Sequence, residues 1–235
     1  MARLVQKMAK KERGDDRVTK ATSKHLSKSS RAYLNRQFND PYVLRAKEEG
    51  YRSRAAFKLL EIQEKYHVLD DVDVVVDLGC APGSWCQVVQ SIRPKVKIIG
   101  MDLLETDPLE GCVFLQNDFS SDEGLDELMA HLPKDTAIDV VMSDLAANTM
   151  GHRETDGLRT QALVELAAIF ARENLKIGGH FVTKMFMHGG EKAFALDLQK
   201  VFEKVHFLKP SSSRKDSREI FLVAKGYLGE AKKGR

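Results

Sequence analysis

The chain has 235 residues and a mass of 26.4 kDa, which suits one α/β domain and leaves little room for two. Its composition, 43% hydrophobic and 30% charged, is typical of a soluble globular protein, and no apolar run approaches the roughly 20 residues of a membrane helix. These features exclude a membrane protein and favour a cytoplasmic one. The net charge of only +3 does not by itself indicate a nucleic-acid partner.

The charge is unevenly distributed along the chain. Residues 1–36 contain eleven basic and three acidic residues, a net charge of +8, whereas residues 37–235 have a net charge of −5. Residues 1–30 are polar and lack periodic apolar positions, so they predict a basic disordered N-terminal tail. Such a tail suits contact with a phosphate backbone, but many are merely solvated, so charge alone leaves nucleic-acid binding open. A short basic tail is also predicted at residues 227–235.

The three cysteines, Cys80, Cys86 and Cys112, have neither the pattern of a disulfide framework nor the paired spacing of a zinc site. Buried thiols behave as small hydrophobic groups, so we expect core positions in a reducing cytoplasm. No metal is expected.

Apolar residues recur at helical spacing in two segments before the predicted sheet, at about 41–50 and 53–66, with Ser53 as the second N-cap. Strands are then predicted at 72–78, 97–101, 112–116, 138–142, 180–184, 204–208 and 219–224. Helices are predicted between them at 84–91, 122–131, 155–174 and 191–202.

This alternation predicts a Rossmann-like α/β fold with a mostly parallel seven-stranded sheet and helices on both faces. Because no helix separates the last two strands, they should pair as a hairpin, which makes one strand antiparallel. The predicted domain covers residues 31–226, with N-terminal helices in 31–70 and the Rossmann-like core in 71–226.

Small residues follow the first predicted strand, in Asp77-Leu-Gly79-Cys-Ala-Pro-Gly83-Ser-Trp85. Glycines at the first strand-to-helix turn let the backbone approach a ligand closely. The G-x-G-x-x-G spacing of a dinucleotide site is absent, so pyrophosphate would be poorly bound. The segment therefore predicts either a ligand-binding turn or a tight turn with a purely structural role.

Carboxylates follow three successive predicted strands, as Asp77, Asp102 and Asp118. A carboxylate at the position of Asp102 can bind the two hydroxyls of a ribose, and Asp118 can accept from an adenine amino group. Each could also be an ordinary N-cap or turn former. Their joint occurrence favours an adenosine site.

Two further ionisable residues, Asp144 and Lys184, are predicted at the same edge of the sheet. Asp144 follows the fourth strand and Lys184 ends the fifth. Lys58 lies on a helix before the sheet, and Glu219 begins the last strand. Any one of these could belong to an ordinary surface ion pair.

Five segments of the chain together resemble the FtsJ (RrmJ or RlmE) family of ribose methyltransferases. They are Arg52-Ser-Arg-Ala-Ala-Phe-Lys58, residues 77–85, Ser143-Asp144-Leu-Ala-Ala-Asn148, Lys184-Met-Phe186 and Ser212-Ser-Arg-Lys-Asp-Ser-Arg-Glu219. The resemblance spans roughly residues 31–226 and implies S-adenosyl-L-methionine as cofactor. It implies a catalytic tetrad of Lys58, Asp144, Lys184 and Glu219. The implied cofactor contacts are Asp77, Gly79, Gly83, Trp85, Asp102, Asp118 and Asp144.

The activity implied by this family is 23S rRNA (uridine-2′-O-)-methylation in the large ribosomal subunit. We take Lys184 as the general base, oriented by Asp144, with Lys58 and Glu219 holding the ribose hydroxyl and Lys184 in place. A monomer that binds RNA and not DNA is expected. RNA contacts are expected from basic residues that flank the tetrad in sequence, namely Arg52, Arg54, Arg214, Lys215 and Arg218.

Three alternatives remain open at this point. A tRNA ribose 2′-O-methyltransferase would have the same tetrad. A non-catalytic RNA-binding ribosome-assembly factor could keep the whole site for binding. A nicotinamide-dependent oxidoreductase shares the fold, but it predicts a three-glycine loop and leaves Lys58, Lys184 and Glu219 unexplained.

Overall fold

A computed structural model describes residues 27–132, 137–146, 153–187, 189–214 and 217–230. The chain divides after Arg54 into two compact units. The helices are α1 (Lys28–Phe38), α2 (Pro41–Glu48), α3 (Ala56–Tyr66), α4 (Ser84–Ile92), α5 (Asp122–His131), α6 (Arg153–Asn174) and α7 (Glu191–Leu198). The strands are β1 (Val74–Leu78), β2 (Lys97–Asp102), β3 (Cys112–Gln116), β4 (Ile138–Ser143), β5 (Leu175–Phe186), β6 (Phe202–Leu208) and β7 (Glu219–Tyr227).

The first unit contains α1 and α2, each of which begins with a side-chain cap. Ser27 caps α1 by accepting a hydrogen bond from the backbone N–H of Ser30, and Asp40 caps α2 by accepting from that of Tyr42. Asp40 also pairs with Arg54, whose guanidinium lies 5.6 Å from the centroid of the Tyr42 ring. The cap and the ion pair together fix the end of this unit to the start of α2.

The second unit is built on one seven-stranded sheet, in the order β3-β2-β1-β4-β5-β7-β6. Strands β1 to β5 pair in parallel, and β7 lies antiparallel between β5 and β6. All five residues of β1 are buried, as expected for a β-branched central strand that is covered on both faces. The predicted mostly parallel sheet with one antiparallel strand is confirmed.

Side chains alternate between the two faces of the sheet. On one face, Val76 and Leu78 of β1 join a core with buried residues of α5, α6 and α7, among them Leu128, Val164 and Leu198. On the other face, Trp85 of α4 packs against Phe221 of β7, with ring centroids 5.7 Å apart. Helices therefore cover both faces, as predicted.

Most predicted elements match the structure to within two residues, and α5 and β3 match at both ends. Ser53 is not the N-cap of α3: the helix begins at Ala56, and its N-cap, Ala55, makes no side-chain cap hydrogen bond. The predicted helix at 191–202 ends at Leu198, because Phe202 already begins β6. Strand β5 starts at Leu175 rather than at His180, with an irregular register against β4.

The two predicted tails fall mainly on residues 1–26 and 231–235, which lie outside the described residues. Helix α1 begins at Lys28, within the range predicted to be disordered, and β7 extends to Tyr227. Among the helices described, none combines the length and the apolar character needed to cross a membrane.

Candidate active site

The carboxyl ends of β1 and β4 meet at a glycine turn. Gly79 has φ +80°, and a Cβ on it would lie 3.1 Å from the backbone nitrogen of Leu145. The backbone N–H of Asp144 donates to the carbonyl of Leu78. A side chain at position 79 would be strained and would push the two strand ends apart, so glycine here keeps Asp144 beside β1.

Asp77 is the most deeply buried carboxylate of this edge, with 1% of its surface exposed. Its Oδ2 accepts a hydrogen bond from the Cys86 thiol at 3.3 Å, while its Oδ1 has no hydrogen-bond partner among the described residues. Burial raises the pKa of Asp77 to about 7, and the charges of Asp144 and Asp102 add to the increase. The hydrogen bond from Cys86 acts in the opposite direction but is outweighed. One buried oxygen therefore remains available to a ligand.

Asp102 ends β2, and Asp118 lies two residues after the end of β3. The carboxylate of Asp102 accepts one backbone N–H on each oxygen, from Ala81 and from Leu104, and so holds the glycine turn. Each oxygen keeps a second acceptor site. Asp118 is exposed, and hydrogen bonds from Ser120 lower the pKa of its carboxyl group. Both carboxylates can therefore accept further hydrogen bonds.

The turn leads into α4 through Gly83, the N-cap residue, with φ +94°. Trp85 follows in the first turn of α4, but it is 3% exposed, and its indole N–H donates to the carbonyl of Ala55 at 2.9 Å. Its ring packs on Phe221. Trp85 thus joins α4 to the start of α3 and to β7, and its contact with a cofactor stays a prediction.

Lys184 and Asp144 form the first ion pair of the site. The Nζ of Lys184 lies 2.9 Å from Oδ1 of Asp144 and donates to the Asp144 carbonyl at 2.6 Å. The Lys184 side chain is only 9% exposed, whereas that of Asp144 is 20% exposed. The ammonium group is therefore largely removed from water, and its carboxylate partner is more open.

Lys58 and Glu219 form the second ion pair, with 2.9 Å between Nζ and Oε1. Glu219 lies opposite Phe186 across the β5–β7 ladder, and Phe221, two residues further on the same face, lies opposite Lys184. The Nζ of Lys58 lies 5.4 Å from the centroid of the Phe221 ring. The structure thus brings the second pair and Lys184 to the same face and edge of the sheet.

The two ion pairs place four charged groups at a mostly buried part of this edge. Buried lysines are costly unless they are paired and hydrogen-bonded, and both lysines here are paired. Perturbed or buried ionisable groups that gather at a strand edge are typical of active sites. The arrangement can orient a hydroxyl group and accept a proton from it.

Three residues of this site escaped the sequence prediction: Phe221, Ser213 and Glu61. The Ser213 hydroxyl donates to Oε1 of Glu219 at 2.8 Å. Glu61 lies one helical turn after Lys58 and accepts the backbone N–H groups of Ser211 and Ser212. The helical spacing of Lys58 and Glu61 was a usable signal, because residues three apart share a helix face.

The predicted RNA-contacting residues are distributed over both units. Arg54 pairs with Asp40 in the first unit, and Arg52 is half-buried there. Arg218 is exposed and Arg214 half-buried in the β6–β7 connection, while Lys215 lies outside the described residues. Their contacts with RNA stay predictions.

Comparison with known proteins gives concordant matches. The model of the FtsJ-like methyltransferase family matches residues 51–227. A "Ribosomal RNA large subunit methyltransferase E" from Erythrobacter litoralis is 50% identical over 208 residues, 88% of this chain and 94% of the relative. A protein of the same name from Rhodopseudomonas palustris is 48% identical over 226 residues, which cover 94% of this chain and 95% of the relative.

A solved structure of a ribosomal RNA methyltransferase from Plasmodium falciparum is 34% identical to this chain, with a TM-score of 0.69. The match covers 77% of this chain and 100% of that one. The fold is that of a Rossmann-like methyltransferase. The chain belongs to the FtsJ-like methyltransferase family.

Proposed function

We propose that the protein transfers a methyl group from S-adenosyl-L-methionine to a ribose 2′-OH of RNA, at a uridine of 23S rRNA. The observation that carries this proposal is the pair of buried ion pairs, Lys184–Asp144 and Lys58–Glu219. They lie at the edge of the sheet where Asp77, Asp102 and Asp118 stand at or just beside the carboxyl ends of β1, β2 and β3. The relatives named as large-subunit ribosomal RNA methyltransferases support the choice of RNA.

The residues at this edge fit the proposed cofactor. The free Oδ1 of Asp77 can accept from an ammonium group, and the remaining acceptor sites of Asp102 and Asp118 can accept from ribose hydroxyls and an adenine amino group. Gly79 and Gly83 place no side chain at either end of the turn. When bound, S-adenosyl-L-methionine would supply a methyl group attached to a cationic sulfur. The sulfur is the leaving group and becomes a neutral thioether.

The protein's own residues align and deprotonate the ribose hydroxyl. Lys184 takes the 2′-OH proton as the oxygen forms its bond to the methyl carbon, so Lys184 must enter this step as the neutral amine. Asp144 holds Nζ of Lys184, while Lys58 and Glu219 bind the hydroxyl and its neighbours. Alignment can supply about 7–11 kcal/mol and general-base catalysis about 3–5 kcal/mol, so positioning is the larger contribution.

Transfer of radiolabelled methyl groups to 23S rRNA in single-turnover experiments tests this function. The wild-type protein should methylate RNA and not DNA of the same sequence, because DNA lacks the 2′-OH. Lys184→Ala should slow transfer by about 100- to 10,000-fold with cofactor affinity unchanged. Near wild-type rates in Lys184→Ala would exclude Lys184 as the base.

The identity of the substrate is tested separately. The 2′-O-methyl positions in total RNA from cells with and without the protein should differ at a uridine of 23S rRNA. A difference confined to tRNA would replace the ribosomal substrate with a tRNA, and no difference at all would favour a non-catalytic binding factor.

A further inference from the structure

A carboxylate outside the tetrad anchors the segment that leads into β7. Glu61 lies on α3, three residues after Lys58. Its Oε2 accepts the backbone N–H of Ser211 at 2.6 Å, and its Oε1 accepts that of Ser212 at 2.9 Å. Both oxygens of one side chain therefore bind two consecutive amides from a segment 150 residues away in sequence.

These two amides begin a compact turn that ends at the tetrad. The backbone N–H of Ser213 donates to the carbonyl of Pro210 at 3.0 Å, and Ser212 is fully buried. The Ser213 hydroxyl then donates to Oε1 of Glu219 at 2.8 Å, the same oxygen that pairs with Nζ of Lys58. The contacts form a closed circuit that leaves α3 at Glu61 and returns to α3 at Lys58.

Glu61 is suited to this task because it remains an anion. Burial raises the pKa of Glu61, but hydrogen bonds from Ser212 and Ser211 outweigh that effect and lower it. A carboxylate that accepts two backbone N–H groups makes charge-assisted hydrogen bonds, which are shorter and stronger than neutral ones.

The backbone of Glu219 does not depend on this circuit. Its position is set by the β5–β7 ladder, in which it lies opposite Phe186, and by a hydrogen bond from its N–H to the Ser217 hydroxyl. The turn acts on the side chain of Glu219 alone. Loss of the circuit therefore leaves the strand in place and frees the carboxylate.

We propose that Glu61 is a positioning residue for the methyl-transfer reaction. It holds the Ser211–Ser213 turn so that Ser213 fixes the carboxylate of Glu219, which in turn fixes the ammonium group of Lys58. Glu61 acts through these residues and does not touch the substrate. This inference rests on the proposed function.

The first test compares Glu61→Gln with Glu64→Gln, which removes the same charge from an exposed position of the same helix. Glu61→Gln places a donor amide against the serine amides and should slow the single-turnover rate at saturating RNA about tenfold, as expected for one charge-assisted hydrogen bond. Glu64→Gln should keep the wild-type rate. The amplitude of product formation should stay the same, because a purely structural defect would lower the active fraction and not the rate.

A double-mutant cycle with Ser213→Ala tests the route. If Glu61 acts through Ser213, Ser213→Ala should slow the rate by a similar factor, and the double variant should be no slower than either single one. Independent, multiplying effects would overturn the proposal, as would a wild-type rate in Glu61→Gln. Ser213→Ala is a small change, so it keeps the test valid if Glu61→Gln folds poorly.

Amide hydrogen exchange separates this inference from the proposed function. Peptides covering residues 209–214 should exchange faster in Glu61→Gln than in wild type or Glu64→Gln. If wild-type protein transfers no methyl group to RNA, the proposed function fails, and the exchange experiment still reports whether Glu61 holds the turn. Unchanged exchange in Glu61→Gln would contradict the anchoring role itself.

Discussion

Strands β4 and β5 carry a Lys–Asp pair at each end, and the two pairs are built in opposite ways. At the amino edge of the sheet, the Asp139 side chain is 4% exposed and its partner Lys176 is 45% exposed. At the carboxyl edge, Lys184 is 9% exposed and Asp144 is 20% exposed. One pair buries the anion and the other buries the cation.

The surroundings of the two carboxylates explain the difference. Asp139 accepts the backbone N–H groups of Asp73 and Val74 at 2.8 and 2.7 Å, so it ties β4 to the start of β1. The Asp144 carboxylate forms an ion pair with Lys184 and makes no hydrogen bond to a backbone N–H among the described residues. The carboxylate that holds two backbone amides stabilises the fold, whereas the open one, Asp144, is paired with Lys184.

The largest expected effect is on catalysis by the Lys184–Asp144 pair. Asp144→Asn should reduce the rate of methyl transfer by at least about 100-fold, because Lys184 loses the charged group that orients it. The free energy of unfolding should change less than in Asp139→Asn. Single-turnover rates and urea denaturation measure the two effects. A variant that loses stability and keeps its rate would show that Asp144 is structural and would break the comparison.

A second prediction concerns the pH response of buried carboxylates at the two edges. The pKa of Asp77 is raised to about 7, so folding favours its protonated form. Its contribution to stability is present below the unfolded pKa near 4 and is lost as the pH rises through 7. The stability of wild type relative to Asp77→Asn should therefore fall by up to about 4 kcal/mol between about pH 4 and pH 8.

Asp139 should respond in the opposite direction. Burial raises its pKa, but hydrogen bonds from Lys176, Val74 and Asp73 outweigh burial and lower it. Its contribution is present above the unfolded pKa and is lost as the pH falls. Urea denaturation of wild type and Asp77→Asn between about pH 4 and pH 8, and of wild type and Asp139→Asn between about pH 5 and pH 2, measures the two slopes. The same slope for both variants would refute the assignment.

The smallest expected effect is that of the Asp139–Lys176 pair on stability. Asp139→Asn should lower the free energy of unfolding by about 2 kcal/mol, because an amide nitrogen faces Lys176 in place of an oxygen. For a domain of this size that corresponds to a decrease in Tm of about 4–8 °C. Its rate of methyl transfer per folded molecule should equal that of wild type.

Lys176→Met is the matched control for this variant. The lysine is half exposed and the carboxylate keeps both backbone hydrogen bonds, so a change below about 1 kcal/mol is expected. If Lys176→Met lowered the free energy of unfolding more than Asp139→Asn does, the lysine, and not the backbone amides, would be what makes this pair stabilising.

Much of this architecture could be predicted from local sequence. Alternating strand and helix patterns predicted the sheet, and strand ends predicted that Asp144 and Lys184 share an edge. Two of the wrong boundaries have a clear physical reason. Leu198 and Phe202 have helical spacing, but a turn at Gln199 and Lys200 separates them. Gly178 and Gly179 look like breakers, yet β5 runs through them.

Other parts of the site depend on contacts that local patterns do not encode. Lys58 and Glu219 were predicted only through the resemblance to a family. Lys58 precedes every strand in the sequence and Glu219 begins the last one, so no local pattern joins them. The hydrogen bonds of Glu61 to Ser211 and Ser212 join segments 150 and 151 residues apart. Their geometry follows only from the folded sheet and from where α3 packs on it.

The reversed direction of β7 makes the site sensitive to strand register. A parallel strand brings its last residue to the carboxyl edge, whereas β7 brings its first, Glu219. A slip of one residue against β5 would turn Glu219 and Phe221 to the opposite face of the sheet and present Ile220 instead. Such a protein could keep most of its backbone pairing and still be inactive. Insertions or deletions just before β7 should therefore affect activity before they affect folding.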